Sequence, residues 1–232
     1  GYGQTGGDGG PGGNAEDGGG EGRCWATHDI YPTGIKGGCG VNGTGGLAGV
    51  GGPGGNGGDG GTIHLEAGGY IATYTYGYAM LALSHGGSAG RGSTPGQRGT
   101  VGRCYTQWPG DVCCLGGFIP TDGDPGAIGG RGGNGGLIEV RSNHTIQFSA
   151  RAHGGTGGLG GPGGPGQEGY TFTPPSDYQI IEADDGIMGP GGNGGDCGEI
   201  IMEAPSIPID PSWISTTGGA GGIGVPYGSA GA

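Results

Sequence analysis

Charge is scarce in this chain. Only 12% of its 232 residues are charged, and 8 are basic against 20 acidic, a net charge of −12. So few cations cannot neutralise a run of phosphates, which excludes a nucleic-acid partner. Long apolar runs are missing as well. None approaches the ~20 residues that a transmembrane helix needs, so no transmembrane segment is expected. Helix-forming sequence is absent for another reason. Gly supplies 73 residues, and each costs roughly 1 kcal/mol relative to Ala inside a helix. The fold is therefore expected to be non-helical. The chain starts at Gly1 without a basic-then-apolar leader. The expectation is an extracellular, secreted chain whose signal peptide has been removed.

What is abundant is ordered. Gly together with 16 Pro would mark low complexity if it had no period. Here it has one. Residues 51–62 read GGPGGNGGDGGT, which places Pro53, Asn56, Asp59 and Thr62 three apart. Arg131, Asn134 and Leu137 repeat the spacing, as do Ile187, Pro190, Asn193 and Asp196. A second set does likewise: Thr5, Asp8, Pro11, Asn14; then Thr156, Leu159, Pro162, Pro165; then Thr217, Ala220, Ile223. A period of three matches neither the 3.6 of a helix nor the 2.0 of a strand. It matches an extended left-handed helix of three residues per turn, which makes no internal hydrogen bonds. Two faces of each such rod are bare backbone, and their N–H and C=O groups need partners. Rods packed side by side can supply them. Collagen is excluded because the runs are short and interrupted, and Pro is too sparse.

A longer repeat contains the triplets. Thr5, His85, His153 and Thr217 each precede Gly-Gly and open a run. Between them lie runs that end in GGNGG at Asn56, Asn134 and Asn193. The expectation is one repeat domain over 1–232, with units at about 5–84, 85–152 and 153–216 and a partial unit at 217–232. Such units stack because none buries its own face alone. After each returning run the period changes to two. Ile63, Leu65 and Ala67 face one way, as do Ile138 and Val140, and Ile200, Met202 and Ala204. A second strand follows each: Tyr74, Tyr76, Tyr78 and Met80; Ile146, Phe148, Ala150 and Ala152; and a Pro-interrupted one between Ile207 and Ile214. The fold class is thus a bundle of (GGX)n rods combined with short β-strand pairs in three tandem irregular repeats.

The segments near 15–50, 92–127 and 166–187 read as irregular loops stabilised by disulfides. Five of the six cysteines lie there: Cys24, Cys39, Cys104, Cys113 and Cys114; Cys197 replaces a glycine in the third returning run. All six are disulfide candidates in an oxidising compartment. Cys24–Cys39 is the favoured pair, with Cys104 joined to Cys113 or Cys114 and the other left for Cys197. Six cysteines allow 15 connectivities, so the assignment stays open. A zinc knuckle lacks its spacing, because Cys113 and Cys114 are adjacent. Glycosylation sequons stand at Asn42 and Asn143. Trp25, Tyr31, Trp108 and Tyr170 are candidates for loop recognition.

Other signals carry less. Matches to GxGxxG lack the strand and helix that a dinucleotide site requires. Residues 54–62 partly match a calcium-binding nonapeptide, but Gly61 stands where that repeat needs an apolar residue. Asp59 and Asp196 therefore read as solvated or hydrogen-bonding side chains. His85 and His153 recur before a run and read as capping or turn residues. No catalytic residue, metal site or cofactor is expected, and the chain does not read as an enzyme.

The GGX rods at about 5–17, 51–62, 129–137, 153–166 and 189–199 resemble the polyglycine-II class. That class includes snow-flea antifreeze proteins and the tip adhesins of phage tail fibres, and the chain also resembles glycine-rich secreted surface proteins. The resemblance implies the rod geometry and leaves function open. Three functions follow as expectations. The first is a structural subunit forming a homopolymer through unfinished N- and C-terminal repeat units. The second is an adhesin presenting loops to a cell-surface or glycan ligand. The third is ice binding, for which Thr5, Thr156 and Thr217 form too sparse an array.

Overall fold

The computed structural model describes residues 24–25, 47–72, 81–97, 99, 104–105, 120–173, 177–208, 214–226 and 231. No helix occurs among them, and the order is strands in small sheets joined by extended glycine runs. The strands are β1 (Cys24–Trp25), β2 (Ile63–Ala67), β3 (Ile71–Ala72), β4 (Leu81–Leu83), β5 (Cys104–Tyr105) and β6 (Leu137–Ser142). They continue with β7 (Ile146–Gln147), β8 (Ser149–His153), β9 (Glu168–Thr173), β10 (Asp177–Glu182), β11 (Glu199–Glu203) and β12 (Ile214–Thr217).

The alternation read from sequence sets which residues point inward. The pairing is not local. β2 does not fold back on β3. It pairs in parallel with β6, which pairs in parallel with β11. β4, β8 and β12 form a second parallel sheet, and β3 pairs with β7. Parallel partners need long crossovers, and the glycine runs and loops supply them. In-register columns result, such as Ile63–Ile138–Ile200 and Leu65–Val140–Met202. These columns form the core. Ile138, Val140, Ile146, Ala150 and Ala152 are fully buried, with Ile63, Phe148 and Ala82 nearly so. Leu65, Ile71, Ile200, Met202, Ala204 and Ile207 pack around them. The expected strand over Tyr74–Met80 lies outside the described residues.

The glycine runs form a second layer. One set holds 51–62, 123–136 and 184–198, and the other holds 84–97, 153–166 and 217–225. Within a set, the first glycine of a triplet donates to the carbonyl of the interposed residue on the next run. Gly57 bonds Arg131 at 2.9 Å, and Gly132 bonds Asn193 at 2.8 Å. Between sets, the second glycine donates to a second glycine: Gly87 to Gly58 and Gly158 to Gly130, both 2.8 Å, and Gly133 to Gly87 at 2.9 Å. The bonds recur every third residue. Backbone approaches this close leave no room for side chains. A Cβ on Gly133 would overlap the Gly58 carbonyl, and one on Gly57 would overlap the Gly87 carbonyl.

The interposed residue has its own N–H to satisfy. At Arg131, Asn134 and Asp196 an Asn or Asp on the neighbouring run accepts it. Asn56 Oδ1 takes the Arg131 N–H at 2.9 Å, and Asp59 Oδ1 takes the Asn134 N–H at 2.7 Å. Asn134 Oδ1 takes the Asp196 N–H at 3.0 Å. Pro at 53, 125, 162, 165 and 190 removes the donor altogether. Ser84, fully buried, joins the layers by donating its Oγ–H to the Gly61 carbonyl. At the far end, buried Gln167 accepts from Thr121 Oγ1 at 3.1 Å and donates to the Gly99 carbonyl at 2.9 Å.

Two expectations about loops are corrected. Residues 168–173 and 177–182 form an antiparallel strand pair, β9 with β10, rather than an irregular segment. Alternating Tyr170 and Phe172 before Pro174 and Pro175 were the available signal. Parts of 92–127 and 166–187 also join the glycine layer, because Gly96, Gly123, Gly126 and Gly186 all bond to neighbouring runs.

Candidate assembly and recognition surfaces

Both three-stranded sheets end in open edges. The strand orders are β11-β6-β2 and β12-β8-β4, so β2, β11, β4 and β12 have no strand beyond them among the described residues. Open edges present unpaired N–H and C=O groups to any added strand. Charges line the outer face of the first sheet. Glu139 accepts from His64 Nδ1 at 2.9 Å and pairs with Arg141, and Arg141 Nε reaches Glu203 at 3.3 Å. Half-exposed pairs like these contribute little stability. They do set the column Glu66–Arg141–Glu203, so each open edge carries a glutamate.

The interposed residues of the two sets line the outward faces of the glycine layer. Its polar part joins Arg131 Nη2 to Asn134 Oδ1 at 3.2 Å and to Asp196 Oδ2 at 3.0 Å. Its apolar part includes Val50, Ile128 and Ile187 on one face and Leu159 and Ile223 on the other, all exposed. Asp59 and Asp196 are hydrogen-bonding side chains here, as their sequence positions implied. Among the described residues, no group of three or more His, Cys, Asp or Glu could hold a metal ion.

The residues that open the second set of runs also come together. His85 and His153 meet edge to face with ring centroids 4.9 Å apart, and His153 Nδ1 bonds Thr217 Oγ1. His85 Nε2 is buried without a hydrogen-bond partner. Burial, then His153, then Arg151 hold the His85 imidazole below its ordinary pKa. The arrangement favours a neutral, packed imidazole.

The residues singled out by sequence scatter. Asn143 is exposed at the bend between β6 and β7, where a glycan has access. Beside it His144 stacks on exposed Tyr70 with centroids 5.0 Å apart, a contact the sequence did not reveal. Register sets Cys24 opposite Cys104 and Trp25 opposite Tyr105. Tyr170 lies in β9 opposite Ile180. Cys39, Cys113, Cys114, Asn42, Tyr31, Trp108 and the run 5–17 lie outside the described residues. Cys197 is a free, half-buried thiol in this structure. Its side chain occupies a run position where its counterparts are Gly60 and Gly135. A Cβ on Gly135 would strike the Gly198 nitrogen of the next run. Cys197 fits because no further run reaches its level among the described residues.

No protein-family model and no curated protein matches this chain. Among the described residues, no helix is long and apolar enough to cross a membrane.

Proposed function

We propose that the chain is a secreted structural subunit that polymerises head to tail into an extracellular filament. One observation carries the reading. The main strand stacks are parallel and in register, and each ends in open edge strands among the described residues. A stack built by near-translation presents on its last strand a partner for its first, and a contact that does not close gives a filament. A second copy's β2 added to β11, and its β4 added to β12, would continue both sheets by strand addition. In this reading the glycine runs are polyglycine-II rods, supported by hydrogen bonds at every third residue. The three units supply the three layers, and loop disulfides protect the chain outside the cell.

Continuation sets Glu203 beside Glu66 of the next copy. Salt screens that repulsion and should favour assembly. The test is electron microscopy with light scattering over a range of concentrations and salt. The expected result is filaments that lengthen with salt and show an axial repeat of roughly 14 Å, three strand spacings. A monodisperse particle under every condition, from this chain and from C-terminally shortened variants of it alike, would overturn the reading.

A second reading is an adhesin that carries recognition on a rigid scaffold. The strand pair β9–β10, inserted between two glycine runs, favours it. Substitution at Tyr170 that abolishes adhesion to a cell surface or glycan, without loss of fold, would support this alternative.

A further inference from the structure

The last runs of the glycine layer are not left open. Gly191 N–H donates to the Pro226 carbonyl at 3.0 Å. This repeats the bonds of Gly54 to Ile128 and Gly129 to Pro190, both 2.9 Å. Pro226 therefore stands one place beyond Pro190 in the first set. Gly231 N–H donates to the Gly219 carbonyl at 2.8 Å, as Gly195 does to Gly155 and Gly133 to Gly87, both at 2.9 Å. Gly231 also lies against the Gly195 carbonyl, as Gly195 lies against that of Gly133. Both contacts place 226 and 231 in the fourth position of a set that otherwise has three runs.

That fourth position has a natural occupant. Residues 52–59 read GPGGNGGD, and so do residues 189–196. The eight residues that dock on run 123–136 within the molecule thus recur in the first run. A second copy can offer them to the edge of run 184–198 in the same register. Two features of this chain stand in the way. Pro226 already takes the Gly191 N–H. The Cys197 side chain also falls where Gly61 of the incoming run would bring its nitrogen, by analogy with the overlap that a Cβ on Gly135 would make with Gly198.

We propose that Pro226, Gly231 and Cys197 form an autoinhibitory cap on the glycine layer. They hold the place that run 52–59 of a second copy takes, so head-to-tail growth waits for Pro226 and Gly231 to leave. The proposal rests on the filament reading and adds the step that limits it. Open edges are commonly blocked in this way.

The test compares the parent chain with two variants: a chain ending at Val225, and the same chain carrying Cys197→Gly. Circular dichroism melts establish that each is folded. Light scattering then gives the lag before assembly, and electron microscopy the product. Losing two backbone hydrogen bonds that compete with the incoming run should shorten the lag about tenfold or more. The double variant should be fastest. Filaments from the variants alone would support the cap equally. Parent and variants assembling with the same lag would overturn the cap and leave the filament reading standing. Folded variants that stay monomeric beside a monomeric parent would overturn both.

Discussion

The strand stacks and the glycine layer are held together by opposite means. In the stacks, Ile138, Val140 and Ile146 are wholly buried and their side chains exclude water. In the glycine layer almost nothing is buried except backbone. Cohesion there comes from hydrogen bonds between runs, and those bonds form because side chains are missing on two of every three residues. A core loses stability when atoms are removed. The glycine layer loses it when atoms are added. The contrast explains why a chain with so few apolar residues folds. Ordering Gly costs more backbone entropy than ordering any other residue, and a dense bond network offsets that cost.

The sharpest way to break this comparison is to add one side chain to the glycine layer. Gly133→Val places a Cβ on the Gly58 carbonyl. We expect a loss above ~4 kcal/mol, which leaves a chain of ordinary stability largely unfolded. A denaturant melt close to the parent's would refute the packing of the runs. Next, Ile138→Ala removes a wholly buried side chain and should cost about 3 kcal/mol by the same melt. An unchanged midpoint would mean that the strand stack is not the core. Asp59→Ala removes the acceptor of the Asn134 N–H. The expected loss is about 1 kcal/mol, because water can replace an exposed partner.

The His85 prediction concerns pH. Its imidazole is held below the ordinary 6.5, first by burial, then by His153 and Arg151. The unfolded chain therefore binds more protons than the folded chain below about 6.5. Stability is fully present above that value and falls as pH drops through it. Thermal melts from pH 8 to 5 should show this slope, and His85→Gln should flatten it. Equal slopes in the two chains would remove His85 as the cause. The smallest effect is expected at Gly69, where a Cβ meets nothing within 4 Å. Gly69→Ala should shift stability by no more than ~0.5 kcal/mol. A large loss there would show that glycine is required for reasons other than space.

Much of the local pattern was legible. The three-residue spacing through Asn56, Asp59 and Asn134 located runs that bond to one another, and the alternation at Ile138 and Val140 located buried strand faces. The pairing of 168–173 with 177–182 was missed because an aromatic-rich insert between glycine runs reads as loop until its two halves are paired. That a side chain is tolerated at Cys197, where the counterparts are Gly60 and Gly135, follows from its place at the edge of a set of runs, which composition does not show.

Sequence by itself determined what depends on neighbours along the chain: non-helical backbone, the glycine period, the inward faces of the strands, and Pro where an outward N–H would lack a partner. Tertiary structure decided what depends on residues far apart. It joined Asp59 to Asn134, 75 residues on, and Asn134 to Asp196, 62 residues on. It brought His85 against His153 and set Cys24 opposite Cys104. Bare glycine backbone carries no label that chooses its partner. The register of the runs is therefore set where the strands lock their side chains into columns, and the runs follow from there.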